Sequence, residues 1–123
     1  MTIEERVNAL KTTTDRLEAV KTIGLFLSEL EKGTVRAASR DADGIWQTAT
    51  WVKEGILAAF RLGVDVASEA GPLLFRDRDT LPPRGLPDGV RVVPGGSAIR
   101  RGAYLAPGVV VMPPAYVNVG AWI

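Results

Sequence analysis

Apolar residues recur at helical spacing in the first third of the chain and predict an amphipathic helix from about residue 16 to residue 32. Positions three or four residues apart share one face of an α-helix, so an apolar stripe marks the face that packs. The positions of this stripe are Leu17, Val20, Ile23 or Gly24, Leu27 and Leu30. Gly33 follows as a C-cap, because glycine adopts the left-handed conformation at little cost.

Polar residues ahead of the apolar runs supply the helix starts. Thr2 and Glu5 have the spacing of a capping box and predict a short first helix with Val7 and Leu10 on its inner side. A run of three threonines then interrupts that helix. Asp15 ends the run and is a good N-cap for the longer second helix.

A hairpin and a third helix complete the predicted N-terminal part. Val35–Arg40 and Ile45–Thr50 are typical of strands, and the turn residues of 41–44 lie between them. Trp51–Leu62 is predicted to be helical and to end at Gly63. Its inner positions are Val52, Ile56, Ala59 and Phe60. The large aromatic residues Trp46, Trp51 and Phe60 are interpreted as core of a small helical domain rather than as ligand platforms.

Residues 64–90 are rich in glycine, proline and charge and predict an irregular connection between two domains. Short strands are expected at Val64–Val66 and Leu73–Phe75. The predicted domain division is therefore a helical domain with a hairpin over residues 1–63, the connection over 64–90, and a repeat domain over 91–123.

The repeat domain shows a period of six. Aliphatic residues occupy every sixth position, at Val93, Ile99, Leu105, Val111, Val117 and Ile123. A glycine or proline follows three residues after all but the last, and a mostly small residue comes one later. This period fits neither a helix nor a hairpin, and it is typical of the hexapeptide repeat that builds a parallel β-helix.

Three hexads close one triangular coil of 18 residues, with the aliphatic side chain pointing inward and glycine turning the corner. Val93 is therefore expected to stack beneath Val111, Ile99 beneath Val117, and Leu105 beneath Ile123. Residues 91–123 hold fewer than two coils, whereas repeat stacks generally need about three units. We expect the chain to be a piece of a longer protein. The helical domain with its hairpin, followed by the first coils of a β-helix, makes α+β the expected fold class of the chain.

Composition restricts the chemistry. The chain has no cysteine and no histidine, so thiol nucleophiles, histidine bases and ordinary transition-metal sites are not expected, and no metal site is predicted. The net charge of +1 does not favour a nucleic-acid partner. No apolar run is long enough to span a membrane and no leader peptide is evident, which predicts a cytoplasmic protein.

Charge is unevenly distributed. All acidic residues lie before position 91, whereas residues 91–123 contain three arginines: Arg91, Arg100 and Arg101. Two interpretations remain open. The arginines either keep a β-surface soluble or form a surface that receives an anionic ligand.

The segments RVVP, RRGAY and MPPAYVNVGAW together resemble the start of the β-helix domain in the tetrahydrodipicolinate N-succinyltransferase family. GIWQTATWVKEGILAAFRLG resembles that family's N-terminal hairpin and helix. The resemblance is weakest over residues 64–90, which are shorter and richer in proline than the family pattern, and it supplies the expected left-handedness of the β-helix. Residues 112–116 also carry one more residue than many relatives.

The resemblance implies a cytoplasmic homotrimer of lysine and diaminopimelate biosynthesis, with active sites between neighbouring β-helices. It implies succinyl transfer from succinyl-CoA, a co-substrate rather than a tightly bound cofactor, to the amino group of a dicarboxylate. Arg91 matches a family arginine that helps bind the dicarboxylate substrate, and a guanidinium can grip a carboxylate bidentately. Arg100 also matches a family position but is assigned no ligand, and Lys53 and Arg61 are interpreted as exposed helix charges. The family's catalytic acidic residue falls beyond Ile123, so no catalytic residue is predicted here and the chain alone is expected to be inactive.

Two alternatives remain from the sequence. One is another trimeric hexapeptide acyltransferase, acting on an amino acid or sugar. The other is a non-catalytic assembly or docking module, which gains weight if the natural chain is this short. The coding sequence after Ile123 distinguishes these alternatives, because further hexads and an early aspartate favour the enzyme.

Overall fold

The computed structural model describes all of residues 1–123. Its three α-helices are α1 (Ile3–Ala9), α2 (Arg16–Lys32) and α3 (Thr50–Leu62). Its first four β-strands are β1 (Ala38–Arg40), β2 (Trp46–Thr48), β3 (Asp65–Ala70) and β4 (Leu73–Arg78). Four strands of two residues follow: β5 (Arg91–Val92), β6 (Ala98–Ile99), β7 (Val110–Val111) and β8 (Tyr116–Val117). No helix is both long enough and apolar enough to cross a membrane.

The predicted helix ends are confirmed. The Thr2 hydroxyl accepts the Glu5 N–H at 3.1 Å, and the Glu5 carboxylate accepts the Thr2 N–H at 2.9 Å, which completes the capping box. The Asp15 carboxylate accepts the N–H groups of the two residues that follow Arg16. Gly33 ends α2 with a left-handed φ of 79°.

The helices enclose the first core, but the buried face of α2 differs from the predicted stripe. The buried residues of this helix are Ala19, Thr22, Ile23, Phe26, Leu27 and Leu30. Leu17 is 77% exposed and Val20 is also exposed, so their assignment to the inner stripe was wrong. The reason is tertiary, because α1 and α3 pack on the side centred on Ile23 and Phe26.

The aromatic residues divide between core and surface. Trp51 packs against the core with its ring 5.9 Å from that of Phe26, and Phe60 is partly buried against the same cluster. The prediction that these two belong to the core is confirmed. The same prediction was wrong for Trp46, which is 57% exposed on β2.

The first hairpin pairs β1 with β2, from Ala38 opposite Thr48 to Arg40 opposite Trp46. Both strands are shorter than predicted. The Asp41 carboxylate accepts the N–H groups of Asp43 and Ile45, so its side chain forms the turn.

Residues 64–90 are more regular than expected. Strands β3 and β4 form an antiparallel hairpin of six residues on each side, with Asp65 opposite Arg78. The chain then returns to the helical domain. The Thr80 hydroxyl donates to the Ala59 carbonyl at 2.7 Å, and Leu81 is buried in the first core. Irregular structure is confined to the part of this segment that follows the hairpin.

Residues 91–123 form two layers of parallel strands, here called the strand stack. Strand β5 pairs with β7, β6 pairs with β8, and Tyr104 bridges to Trp122. The predicted alignment of Ile99 with Val117 is confirmed. Backbone bonds from Ile123 to Tyr104 and from Ala106 to Ile123 bracket Leu105, as expected for the predicted third pair.

The predicted alignment of Val93 with Val111 was wrong, because Val111 pairs with Val92. The corner that follows Val92, here called the lower corner, contains one residue more than the corner that follows Val111, here called the upper corner. Gly95 and Gly96 both have positive φ there, and a Cβ on Gly95 would lie 2.7 Å from Pro113 in the upper corner. Glycine is required because the layers approach closely at this corner. The inward residues of the stack form a second core of Ile99, Ala103, Leu105, Val111 and Val117.

Residues 82–84 cover the lower edge of the strand stack. Pro83 bridges Arg100 in antiparallel orientation. The Arg84 N–H donates to the Ile99 carbonyl at 2.9 Å, and the Arg84 guanidinium donates to the Ala103 carbonyl at 2.6 Å. This segment satisfies backbone groups that would otherwise form an open edge.

Candidate functional site

The three arginines of the acid-free segment have different surroundings. Arg91 lies on β5 with an exposed side chain that makes no hydrogen bond or ion pair. Arg100 pairs with Asp77, and Arg101 pairs with Glu31. Two of the three charges are therefore compensated by acids from the earlier part of the chain, and the segment is not a uniformly basic surface.

Arg100 is buried, with only 8% of its surface exposed. Its guanidinium donates to the Asp77 carboxylate on β4 and to the Asn118 side chain at 3.3 Å. Its Cζ atom also lies 5.2 Å from the centre of the Phe60 ring. Arg100 therefore joins the second hairpin to the strand stack. Because it is buried, Arg100 is not one of the exposed arginines that would keep a β-surface soluble. Lys53 and Arg61 are exposed as expected, and Arg61 also donates to the Leu10 carbonyl at 2.8 Å.

A groove of about 620 Å³ runs between the second hairpin and the outer side of the strand stack. Val66, Phe75 and Asp77 line one wall, and Arg100 and Tyr116 line the other. The groove is thus mostly apolar, with an ion pair linking its two walls. Arg91 does not line this groove, so the structure does not bring the predicted substrate-binding arginine to it.

Sequence reasoning missed this groove because it treated its first wall as irregular. The available signal was the Gly71-Pro72 turn, which joins the segment 65–70 to the run that begins with Leu73–Phe75. Two short strand-like segments separated by two turn residues are typical of a hairpin.

Asp79 is the most strongly hydrogen-bonded acid beside the groove. The Val64 N–H donates to its carboxylate at 3.0 Å, and Arg16 donates to the other oxygen. The backbone bond from Val64, followed by the bond from Arg16, lowers the pKa of Asp79 below its ordinary value of 3.8. A general base works best when its pKa lies near the operating pH. Asp79 is therefore suited to holding structure rather than to accepting a proton.

No group of three or more histidine, cysteine, aspartate or glutamate residues is placed to hold a metal ion. Guanidinium groups, carboxylates and aromatic rings are present in the chain and can bind ligands. Arg91 is the arginine of the acid-free segment whose donors are free for a ligand.

Comparison with known proteins identifies the family. Residues 2–62 match the model described as tetrahydrodipicolinate N-succinyltransferase N-terminal. The chain is 38% identical to the 2,3,4,5-tetrahydropyridine-2,6-dicarboxylate N-succinyltransferase of Albidiferax ferrireducens, over 95% of this chain and 44% of that protein. It is 36% identical to the protein of the same name from Variovorax paradoxus, over 96% of this chain and 44% of that protein.

The protein of that name from Acinetobacter baylyi is 41% identical over 79% of this chain and 37% of its own length. The chain therefore belongs to the tetrahydrodipicolinate N-succinyltransferase family and corresponds to its N-terminal portion. It spans less than half the length of these relatives.

Proposed function

We propose that the chain is the N-terminal part of an N-succinyltransferase acting in lysine and diaminopimelate biosynthesis. The enzyme would transfer a succinyl group from succinyl-CoA to an amino group of a dicarboxylate. The supporting observation is the extent of the similarity, because relatives with this activity in their names match 95% and 96% of the chain. The match therefore includes the helical domain, the second hairpin and the strand stack.

Arg91 is proposed to bind a carboxylate of the acceptor. Its exposed guanidinium has no partner within the chain, so it can donate two parallel hydrogen bonds to a carboxylate. It would act by positioning rather than by proton transfer. In the proposed reaction, the acceptor nitrogen attacks the thioester carbonyl, the carbon–sulfur bond breaks, and the CoA thiolate leaves. A carboxylate outside these residues would take the amine proton.

The architecture proposed for the whole enzyme is a left-handed parallel β-helix continuing from the strand stack. The parallel pairs at 18-residue spacing support it, as does the second core of inward aliphatic residues. A homotrimer in the cytoplasm, with active sites between neighbouring subunits, completes the proposal. The domain division at residues 63 and 90 remains part of it, with the amendment that residues 80–81 pack on the helical domain.

The decisive experiment assays the protein encoded by the complete reading frame beside the 123-residue chain. With succinyl-CoA and an aminopimelate acceptor, we expect thiol release from the former and none from the latter. Arg91→Gln in the longer protein should raise KM for the acceptor about tenfold or more with a smaller change in kcat. Arg6→Gln is the matched control, because Arg6 is exposed on α1 and makes no ion pair.

Thiol release by the 123-residue chain alone would contradict the expectation that it is inactive. A stop codon directly after Ile123, or a longer product with no transferase activity, would favour a docking module instead. An Arg91→Gln variant with an unchanged KM would remove the proposed role of this arginine while leaving the proposed reaction intact.

A further inference from the structure

Guanidinium groups and aromatic rings alternate where the first hairpin meets the strand stack. Tyr104 stacks on Trp122 with the ring centres 4.7 Å apart. The Arg36 Cζ atom lies 3.8 Å from the centre of the Trp122 ring and 5.9 Å from that of Trp46. The Arg40 Cζ atom lies 5.2 Å from the centre of the same Trp46 ring. These five residues are called the Arg–Trp ladder below.

Neither arginine of the ladder is compensated by an acid. Arg36 and Arg40 form no salt bridge and donate no side-chain hydrogen bond within the chain, unlike Arg100 and Arg101. The Nε atom of Arg36 is enclosed by protein and still has no acceptor. An enclosed donor without a partner is unfavourable, because it has lost water and gained no hydrogen bond.

Among the acids on neighbouring segments, Asp41 and Glu29 are already engaged, whereas Asp43 in the hairpin turn is exposed and pairs with neither arginine of the ladder. The Asp41 carboxylate accepts bonds from the Ile45 N–H and from the Gln47 side chain. Glu29 accepts the Thr34 hydroxyl at 2.7 Å and pairs with Lys32. Two positive charges therefore remain without an anion at this surface.

The ladder is also open to solvent at its hairpin end, since Trp46 is 57% exposed and Arg40 is exposed as well. A guanidinium that rests its face on an indole ring keeps its N–H edge available for further bonds. That edge matches a carboxylate or a phosphate bidentately. The rings limit the motion of the arginines, so little ordering is required when a ligand binds.

We propose that the Arg–Trp ladder is a binding site for a small oxyanion, a carboxylate or a phosphate group. Arg36 supplies the central donors through the two terminal nitrogens of its guanidinium, because its Nε is enclosed by protein, and Arg40 supplies a second positive charge beside the same Trp46 ring. The indole rings hold both guanidinium groups in place. The ladder does not include Arg91 or the groove beside Arg100, so the proposal is independent of the proposed transferase function.

The test titrates the full chain with sodium pyrophosphate and, separately, with sodium citrate at constant ionic strength. Tryptophan fluorescence and the NMR signal of the Arg36 Nε–H group are the readouts. We expect both signals to change and to saturate together. Arg36→Gln and Arg40→Gln should each weaken binding about tenfold or more, because each removes a charge-assisted donor. The two titrations distinguish a phosphate preference from a carboxylate preference.

Controls separate binding from folding and from self-association. Arg6→Gln removes an exposed arginine without a ring partner and should bind as the unmodified chain does. Arg36→Lys keeps the positive charge but loses the paired N–H donors of the guanidinium. This variant should also bind the anion weakly, while its unfolding midpoint stays close to that of the original chain. The proposal is overturned if the Arg36 Nε–H signal does not move, or if Arg36→Gln binds as tightly as the original. Signals that follow protein concentration rather than anion concentration would also overturn it and indicate a second copy as the occupant.

Discussion

Arg101 of the strand stack and Glu31 of helix α2 form a two-pronged ion pair. Arg101 Nε lies 3.0 Å from one oxygen of the Glu31 carboxylate, and Nη2 lies 3.2 Å from the other. The same Nη2 donates to the Ser28 hydroxyl at 2.9 Å. The pair joins two parts of the chain that are 70 residues apart. It therefore fixes the strand stack against the helical domain.

Removing the cation of this pair should destabilise the chain. The two side chains are only 28% and 15% exposed, so Arg101→Gln leaves Glu31 largely enclosed and without its partner. We expect the free energy of unfolding to fall by about 1–3 kcal/mol, measured by urea denaturation. Lys21→Gln is the matched control, because Lys21 pairs with Glu18 on the exposed side of the same helix. Its effect should be about 0–0.5 kcal/mol, and equal effects of the two substitutions would contradict a joining role for Arg101.

Gly102 should tolerate a side chain less well than Gly108 does. It has a φ of 86°, and an added Cβ would lie 2.7 Å from Val119 and 2.8 Å from Leu27. Gly108 has a similar φ of 93° but open space around it. We expect Gly108→Ala to cost about 1–2 kcal/mol from backbone strain alone, and Gly102→Ala to cost a further 1–3 kcal/mol, roughly, from overpacking. Thermal or urea unfolding of the two variants measures the difference in stability. Equal losses in the two variants would show that Val119 and Leu27 can move away from the added Cβ without a cost in stability.

Leu81 should contribute to the helical core although it lies outside the helical domain in sequence. It is 1% exposed and belongs to the first core, whereas Leu86 is 77% exposed. Leu81→Ala should therefore lower the free energy of unfolding by about 2–5 kcal/mol, and Leu86→Ala should change it by less than about 0.5 kcal/mol. Denaturant unfolding followed by far-UV circular dichroism gives both values. A small effect at Leu81 would mean that this segment is not fastened to the helices.

Asp79 should make stability depend on pH in the acid range. Its pKa is lowered in the folded chain, first by the Val64 N–H and then by Arg16. The stability that this carboxylate contributes is present in full above the unfolded pKa of 3.8 and is lost as the pH falls through the lower folded pKa. Asp79→Asn should therefore flatten the decline of stability below about pH 4.

Urea denaturation at a series of acid pH values measures this dependence. Asp88→Asn is the control, because Asp88 is exposed and makes no side-chain bond within the chain. An Asp79→Asn variant whose acid dependence parallels that of the original chain would show that Val64 and Arg16 do not favour the charged carboxylate.

Local chemistry in the sequence determined the helix ends and the period of the strand stack. Thr2, Asp15 and Gly33 act through bonds and dihedral angles within a few residues, so their roles do not depend on distant parts of the chain. The hexad spacing likewise determined that Ile99, Leu105, Val111 and Val117 point inward, whereas it was wrong for Val93 and for Ile123, which is 48% exposed. The spacing missed the pairing of Val92 with Val111 because one additional residue in a corner shifts the register by one position. Val92 and Val93 are both valine, so the sequence does not show which of them is aligned.

The candidate sites depended on contacts that spacing does not encode. Arg91, Arg100 and Arg101 are alike in the sequence, but the second hairpin supplies Asp77 to one and α2 supplies Glu31 to another. Only Arg91 of the three keeps its donors free. Arg36 meets Trp122 across a separation of 86 positions, a contact that no local pattern could indicate.

The sequence by itself determined the helical domain, the six-residue repeat and the family resemblance, because capping, periodicity and motif are properties of neighbouring residues. The tertiary structure decided which apolar face of α2 is buried, since that depends on where α1 and α3 pack. It also decided which arginines are compensated by an acid and which keep their donors free of partners within the chain. Charge compensation in a folded chain is a matter of distance in space, and the acids concerned lie far away in sequence.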